Sequence, residues 1–441
     1  MAVPSFAPSK APARVRVRAP LFGLLAAHTV SLTGNMVTLI ALPLYVLATT
    51  GSPAATGITG AVATVPVILG GALGGVLVDR AGYRRTSVIA DAVGSLTIAA
   101  VPVLDLTVGL PFWALLVLVF ATGLLDTPGQ VARESLLPQA AATAGIPLAR
   151  AAGWFDASER AARMLGAPLA GLLVASIGAL HTLAVDAVSF AVAAALIFAL
   201  VPLPGSPRWA TTSAGTGEVL TPTASNGTDG YWRQLGQGVA FLTREPLLRS
   251  VVTLIMVTNF FDAAKVTVLL PVVTTRQYGG AAAFGLLVGT LGGTALIGAL
   301  IFSAIGHRLP RRATFVIAFA IGGPPAYFAF AADLPLPAVV AVTAVSGLGV
   351  GAINPIIATV KLERVPAGMR ARVYGVIGAA AWATMPAGSI AAGYAVEHVG
   401  LTATLYTVGA AYLLTTLTPL LGGAWRNMAP PGSSDHPQPD N

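Results

Sequence analysis

Gly74-Gly75-Val76-Leu77-Val78-Asp79-Arg80-Ala81-Gly82-Tyr83-Arg84-Arg85 sets four charged side chains within positions 79–85, between two long apolar runs at 55–78 and 87–105. About 20 mostly apolar residues are what a helix needs to cross a bilayer. The charged knot between the runs is too short for a domain and too polar for lipid, so it reads as a tight turn at a membrane surface. Gly74 and Gly75 let the helix before it approach a neighbour closely. An acid at such an edge can face the N-terminus of another helix, whose dipole favours negative charge. Arg84 and Arg85 can pair with that acid and with lipid phosphates.

The rest of the chain has the same character. Of 441 residues, 55% are hydrophobic and 10% are charged. A soluble body of this size could not cover itself with so few charges, which excludes an ordinary soluble enzyme, and a disordered chain needs far lower hydrophobicity. Twelve stretches are long and apolar enough to span: 21–48, 55–78, 87–105, 112–132, 155–177, 180–202, 250–274, 283–305, 313–332, 336–358, 373–395 and 402–423. The first is too long for the core of a secretory signal. Placing the N-terminus inside puts 21 of the 25 Lys and Arg on the inner side; the exceptions are Arg160, Arg163, Lys265 and Arg276. By the positive-inside rule both termini are then cytoplasmic. The net charge of +8 is therefore topological, and no nucleic-acid partner is expected. The chain has no Cys and no Gly-x-x-x-x-Gly-Lys loop, so thiolate metal sites and ATP-driven chemistry within the polypeptide are not expected. No catalytic triad or metal-ligand cluster appears, and neither an enzymatic activity nor a cofactor is expected.

The sequence repeats at about half its length. Gly71-Ala72-Leu73 before Arg84-Arg85 is matched by Gly298-Ala299-Leu300 before Arg311-Arg312. Asp126-Thr127-Pro128 is matched in position by Ile353-Asn354-Pro355, and Ala170-Gly171 by Ala392-Gly393. Three matches in order indicate two parallel six-span halves. The expected organisation is a basic cytoplasmic N-terminus (1–20), a first half (21–202), a cytoplasmic linker (203–248), a second half (249–425) and a disordered cytoplasmic tail (426–441). Within the linker, Tyr231, Trp232, Leu235, Val239 and Leu242 recur at helical spacing. They predict an amphipathic helix, lying on the inner leaflet or packed on the protein.

The turn at 74–85 closely resembles the Gly-x-Leu-x-Asp-Arg-x-Gly-Arg-Arg loop of the major facilitator superfamily. The resemblance extends to Ser31-Leu32-Thr33-Gly34-Asn35 in span 1, Arg163-Met164-Leu165-Gly166-Ala167-Pro168 in span 5 and Asp186-Ala187-Val188-Ser189-Phe190 in span 6. Together with Arg370-Ala371-Arg372-Val373-Tyr374-Gly375, these are similar to the bacterial branch that holds the enterobactin exporter and macrolide-efflux proteins. The resemblance implies an all-α membrane protein with the major facilitator fold, in a bacterial cytoplasmic membrane. It also implies that Gly74, Gly75, Asp79, Arg80, Gly82, Arg84 and Arg85 form a gate, with Asp79 the switch residue facing the start of span 11. The second copy, Gly306-His307-Arg308-Leu309-Pro310-Arg311-Arg312, lacks the acid. Relatives often carry Asp after the span 1 Gly, whereas Asn35 cannot titrate; if that acid couples protons in relatives, coupling here must sit elsewhere.

Ionisable groups within lipid are costly and functional by default. At 1.5 Å per residue Asp262 lies about 20 Å into span 7. Lys265, three residues on, shares its face. Asp126 lies at similar depth in span 4. A proton-coupled carrier needs a buried carboxylate that exchanges its proton for substrate. We therefore expect Asp262 and Asp126 to couple protons, with Lys265 tuning Asp262. A fixed ion pair and a satisfied structural acid are the alternatives. Asn35, Gln130, Asn259, Phe260, Asn354 and Trp382 are the expected lining of a central cavity. Asp186 is expected to be structural, His28 a packed and hydrogen-bonded histidine, and Trp425 an interface anchor. Arg133 and Glu134 are expected in an ion network with Asp156, Glu159, Arg160 and Arg163, serving as gate or anchor. The expected function is secondary efflux of an amphipathic small molecule (antibiotic, drug or siderophore-like metabolite), coupled to protons, by a monomer. The alternatives are a nutrient importer and a transport-inactive sensor.

Overall fold

The structure is a computed structural model that describes residues 17–202 and 227–428; the side chains of 71–77, Asp79, Arg80, Ala371 and parts of the linker helix lie outside that description. The basic N-terminus to residue 16, the linker 203–226 and the tail from 429 are likewise outside the described residues.

Among the described residues there are no strands, and twelve helices are long and apolar enough to cross a membrane. Spans 1 to 6 are Ala19–Thr50, Pro53–Ala81, Tyr83–Thr107, Phe112–Ala144, Leu148–Ile177 and Ala179–Leu200. Spans 7 to 12 are Pro246–Gln277, Ala281–Arg308, Arg311–Ala331, Leu336–Arg364, Arg372–Val399 and Leu401–Leu421. Proline and glycine set many of the ends. Pro53 occupies the first turn of span 2, where its missing N–H is no loss, and Gly51 closes span 1 in the left-handed conformation. The bundle has one basic end, carrying residues 17 and 428, and an opposite, far end.

The two halves join unequally along their length. One core cluster mixes Ile40, Leu183 and Phe190 of the first half with Val268, Phe284 and Tyr327 of the second. Toward the basic end the cores separate: Leu24, Leu136 and Ile197 belong to one, Leu248, Phe315 and Ile356 to the other. The seam between spans 5 and 8 shows the same divergence. At its far end Gly171 meets Gly285 so closely that a methyl group on either would lie 2.8 Å from the other's Cα. Two turns nearer the basic end, a methyl on Gly293 would meet only Met164, at 4.0 Å. Spans 2 and 11 close the other side of the far end, where a methyl on Gly393 would strike the Pro53 carbonyl at 2.6 Å. The halves are thus shut at the far end and part toward the basic end.

Two expectations need correction here, and one open alternative is decided. Gly423–Met428 forms a last helical turn with Trp425 and Met428 buried, so the second half extends past residue 425 and the described start of the tail is ordered. Trp425 packs 6.1 Å from Phe315 and is a core residue, not an interface anchor. The linker helix, Gly227–Arg244, packs on the protein: Leu242 is buried beside Leu247 and Val376, and Gln237 accepts from Arg372 Nη1 at 2.6 Å.

Candidate functional site

Two polar constellations sit midway along the bundle, one in each half. In the first, Asp126 of span 4 accepts from Gln130 Nε2 at 2.8 Å, one turn on. It also accepts from Asn35 Nδ2 of span 1 at 3.2 Å and 3.4 Å. The four-residue spacing brings Gln130 onto the Asp126 face. The sequence singled out all three residues, and the fold brings them together. The donors the structure gives this carboxylate are neutral amides, and all three side chains are half-buried.

The second constellation forms around a local irregularity. Span 7 widens into a π-turn over Lys265–Leu269, where Leu270 N donates to the Lys265 carbonyl five residues back. Pro271 follows immediately and has no N–H to continue the regular ladder. Such π-turns recur at functional sites. Lys265 Nζ donates to Asp262 Oδ1 at 3.1 Å and lies 5.6 Å from the centre of the Tyr327 ring. Tyr412 of span 12 donates to Asp262 Oδ2 at 3.1 Å and stacks on Phe261 at 5.4 Å. Tyr327 itself donates to the Phe261 carbonyl at 2.8 Å. The Lys265 side chain is 9% exposed, whereas that of Asp262 is 40% exposed. The ammonium is enclosed by its partners, and the carboxylate stays open.

Neither the π-turn nor Tyr412 was anticipated. Pro271 was the only signal for the first. Tyr412 lies 150 residues from Asp262, and pairing over that separation leaves no local pattern.

The remaining cavity candidates have more specific roles. Span 11 breaks at Thr384, just before Met385-Pro386. Asn259 donates to the Ala381 carbonyl at 2.8 Å, and Thr384 donates to the Met256 carbonyl at 2.5 Å. Asn259 is therefore engaged in holding the break of span 11 against span 7. Trp382 is exposed beside that break, Phe260 packs edge-on to Phe261 at 5.4 Å, and Asn354 is exposed on span 10.

Below the first constellation lies a buried ion pair. Arg133 Nη1 donates to both Asp91 oxygens at 2.8 Å, and Ser31 adds a bond at 3.2 Å. Their side chains are 1% and 2% exposed. Arg133 thus does not join the Arg160–Asp156 and Arg163–Glu159 pairs, which are exposed one-turn contacts on span 5. His28 is buried and stacks on Phe155 at 3.8 Å, but neither ring nitrogen has a hydrogen-bond partner. Its expected hydrogen bonding is not found. Asp186 is fully buried between Thr38 and Ser189, tying span 6 to span 1.

At the basic end, Gly82 ends span 2 with a positive φ. Arg84 donates to the Phe198 carbonyl at 2.6 Å and lies over the Phe198 ring, which fixes it to the end of span 6, while Arg85 is exposed. The side chains of Gly74, Gly75, Asp79 and Arg80 lie outside the described residues. In the second copy, Arg311 forms a two-pronged pair with Glu363 at 2.6 Å and 3.0 Å, and Arg312 donates to the Pro419 carbonyl. Among the described residues no group of three or more acidic or histidine side chains is arranged to hold a metal.

Comparison with known proteins matches residues 24–264 and 252–440 to the family model of the Major Facilitator Superfamily. The multidrug efflux pump Tap of Mycolicibacterium fortuitum is 31% identical over 402 residues, covering 90% of this chain and 94% of that protein. The pump of the same name from Mycobacterium tuberculosis is 29% identical over 426 residues, covering 95% and 98%. Among solved structures, the nucleoside transporter NupG superposes with a TM-score of 0.72 at 13% identity, over 92% of this chain and 98% of that one. A D-xylose-proton symporter gives 0.61 at 16% identity, over 91% and 95%. At such identities these structures speak for the fold alone.

Proposed function

The chain belongs to the major facilitator superfamily, as a multi-pass membrane transporter of its efflux branch, and from that premise we propose that it is a proton-coupled exporter of amphipathic drugs or similar metabolites. Its resemblance to Tap pumps along nearly the whole chain supports efflux as the direction. The observation that carries the coupling is Asp126, a half-buried carboxylate held by Asn35 and Gln130 with neutral donors on each side. Because both donors are neutral amides, a proton taken up here would break no ion pair. Asp262 is the second carrier: it is open on one face, while Lys265 and Tyr412 hold the other. Lys265 pairs with Asp262 when substrate is absent and is displaced from it as proton or substrate arrives.

The proposed cycle is alternating access between the halves at 21–202 and 249–428. The excess of Lys and Arg at the basic end supports a cytoplasmic location for that end and for both termini. The far-end closure then corresponds to a cytoplasm-facing state of a monomer in a bacterial cytoplasmic membrane, loading substrate among Asn35, Gln130, Phe260, Asn354 and Trp382. Asp79, with Gly74, Gly75, Arg80, Gly82, Arg84 and Arg85, forms the gate for the basic end.

The test is transport in proteoliposomes with an imposed pH gradient, comparing the wild type with Asp126→Asn and Asp262→Asn, with and without a protonophore. Each substitution is expected to abolish gradient-driven export while leaving substrate binding in detergent measurable. Full gradient-driven export by both variants would overturn the assignment.

A further inference from the structure

The far end is closed by more than close packing. The first turn of a helix leaves its N–H groups without partners inside that helix. In span 2 every such group is accounted for. Pro53 has no N–H, Ala55 N donates to Ser52 Oγ at 3.1 Å, and Thr56 N donates to the Ser52 carbonyl at 3.2 Å. The remaining donor, Ala54 N, donates to Glu397 Oε2 at 3.2 Å, and Ser52 Oγ donates to the same oxygen at 2.7 Å. Glu397 belongs to span 11, in the other half. The cap of span 2 is therefore completed across the seam, with a negative charge at the positive end of the helix dipole.

The position of Glu397 has a counterpart. It sits two residues before Val399, the last residue of its helix, and Gly400 follows with φ +94°. Asp79 sits two residues before Ala81, the last residue of span 2, and Gly82 follows with φ +84°. Spans 2 and 11 are antiparallel neighbours, so the C-terminal acid of each stands at the level of the other's N-terminus, at opposite ends of the molecule.

We propose that Glu397, with Ser52 and the N-terminus of span 2, is a latch that holds the far end shut, the counterpart at that end of the Asp79 gate at the basic end. One acid is docked at a time: opening the far end frees Glu397 and exposes Ala54 N, while closing the basic end brings Asp79 to the start of span 11. The latch rests on the alternating-access reading, and the experiment separates the two.

The chain has no Cys, so pairs of introduced cysteines report without background. Spin labels at Val108→Cys and Thr402→Cys, both exposed, read the separation of the halves at the far end. Labels at Leu148→Cys and Leu362→Cys, also exposed, read it at the basic end. In proteoliposomes the wild type should show two populations in each pair, with the far end mostly closed. Glu397→Ala should raise the far-open population about fivefold, as expected for loss of one helix cap, and lower the basic-open population in step. Ser52→Ala should move both pairs the same way by less, and Asp79→Asn should move them the opposite way. If the wild type shows one population at both ends under every pH gradient, alternating access fails, and the latch with it. If the wild type shows two populations and Glu397→Ala leaves their ratio unchanged, the latch alone is overturned.

Discussion

Two acid–base pairs within this bundle look alike on paper and differ in every physical respect. Asp91–Arg133 joins spans 3 and 4, takes one further hydrogen bond from Ser31, and is almost wholly sealed from solvent. Asp262–Lys265 is a single bond of 3.1 Å within one helix, on a widened turn, with its carboxylate 40% exposed. A sealed pair cannot lose one member without stranding the other, so it suits a fixed brace. In the second pair the carboxylate is open to water, so loss of the cation does not strand a sealed acid. Asp126 extends the series, with amide donors alone. Burial and partner type, more than the presence of an acid in a span, separate scaffold from coupling chemistry.

The contrast makes ordered predictions. Arg133→Ala should have the largest effect on folding. It leaves Asp91 buried and unpaired, a loss of about 3–5 kcal/mol, visible as a collapse of folded yield and melting temperature in detergent. Removing both charges with Asp91→Asn and Arg133→Gln should recover more than half of that loss; no recovery would mean that the pair is not the brace described. Asp126→Asn should leave melting unchanged and abolish gradient-driven export. A large melting shift instead would place Asp126 with Asp91 among the scaffold acids. Lys265→Met should cost at most about 1 kcal/mol, because the Asp262 it abandons is open to water, yet should uncouple export from the pH gradient. Tyr412→Phe should be mildest, about 0.5 kcal/mol, with slower export and intact coupling. If it equalled Lys265→Met in uncoupling, the hydroxyl would share the ammonium's role.

The fold was legible because lipid allows so few solutions. Charge scarcity, twelve apolar runs and the asymmetry of Lys and Arg were readable without any neighbour in space. The Asn35–Asp126–Gln130 group was half legible: Gln130 follows Asp126 by one helical turn, while Asn35 was marked only as a polar group expected to line the cavity. What escaped was pairing across sequence. The acids of span 5 are nearer to Arg133 in sequence, yet it turns inward to Asp91, because a guanidinium already buried gains most from the partner buried with it. Arg84 points to a carbonyl of span 6, which no charge pattern marks. The π-turn left one trace, Pro271, and prolines interrupt spans 1 to 5 as well, where they produce no such turn.

The contact between Gly171 and Gly285 has a last consequence. It is a bearing surface of main chain against main chain, so its fit is set by helix geometry and not by the chemistry of any side chain. Changes among Asn35, Gln130, Phe260 and Trp382 leave that bearing untouched. Such a transporter can drift in the compounds it accepts, residue by residue, while the mechanical joint stays the same. A side chain added at either glycine would instead jam the joint for every compound at once.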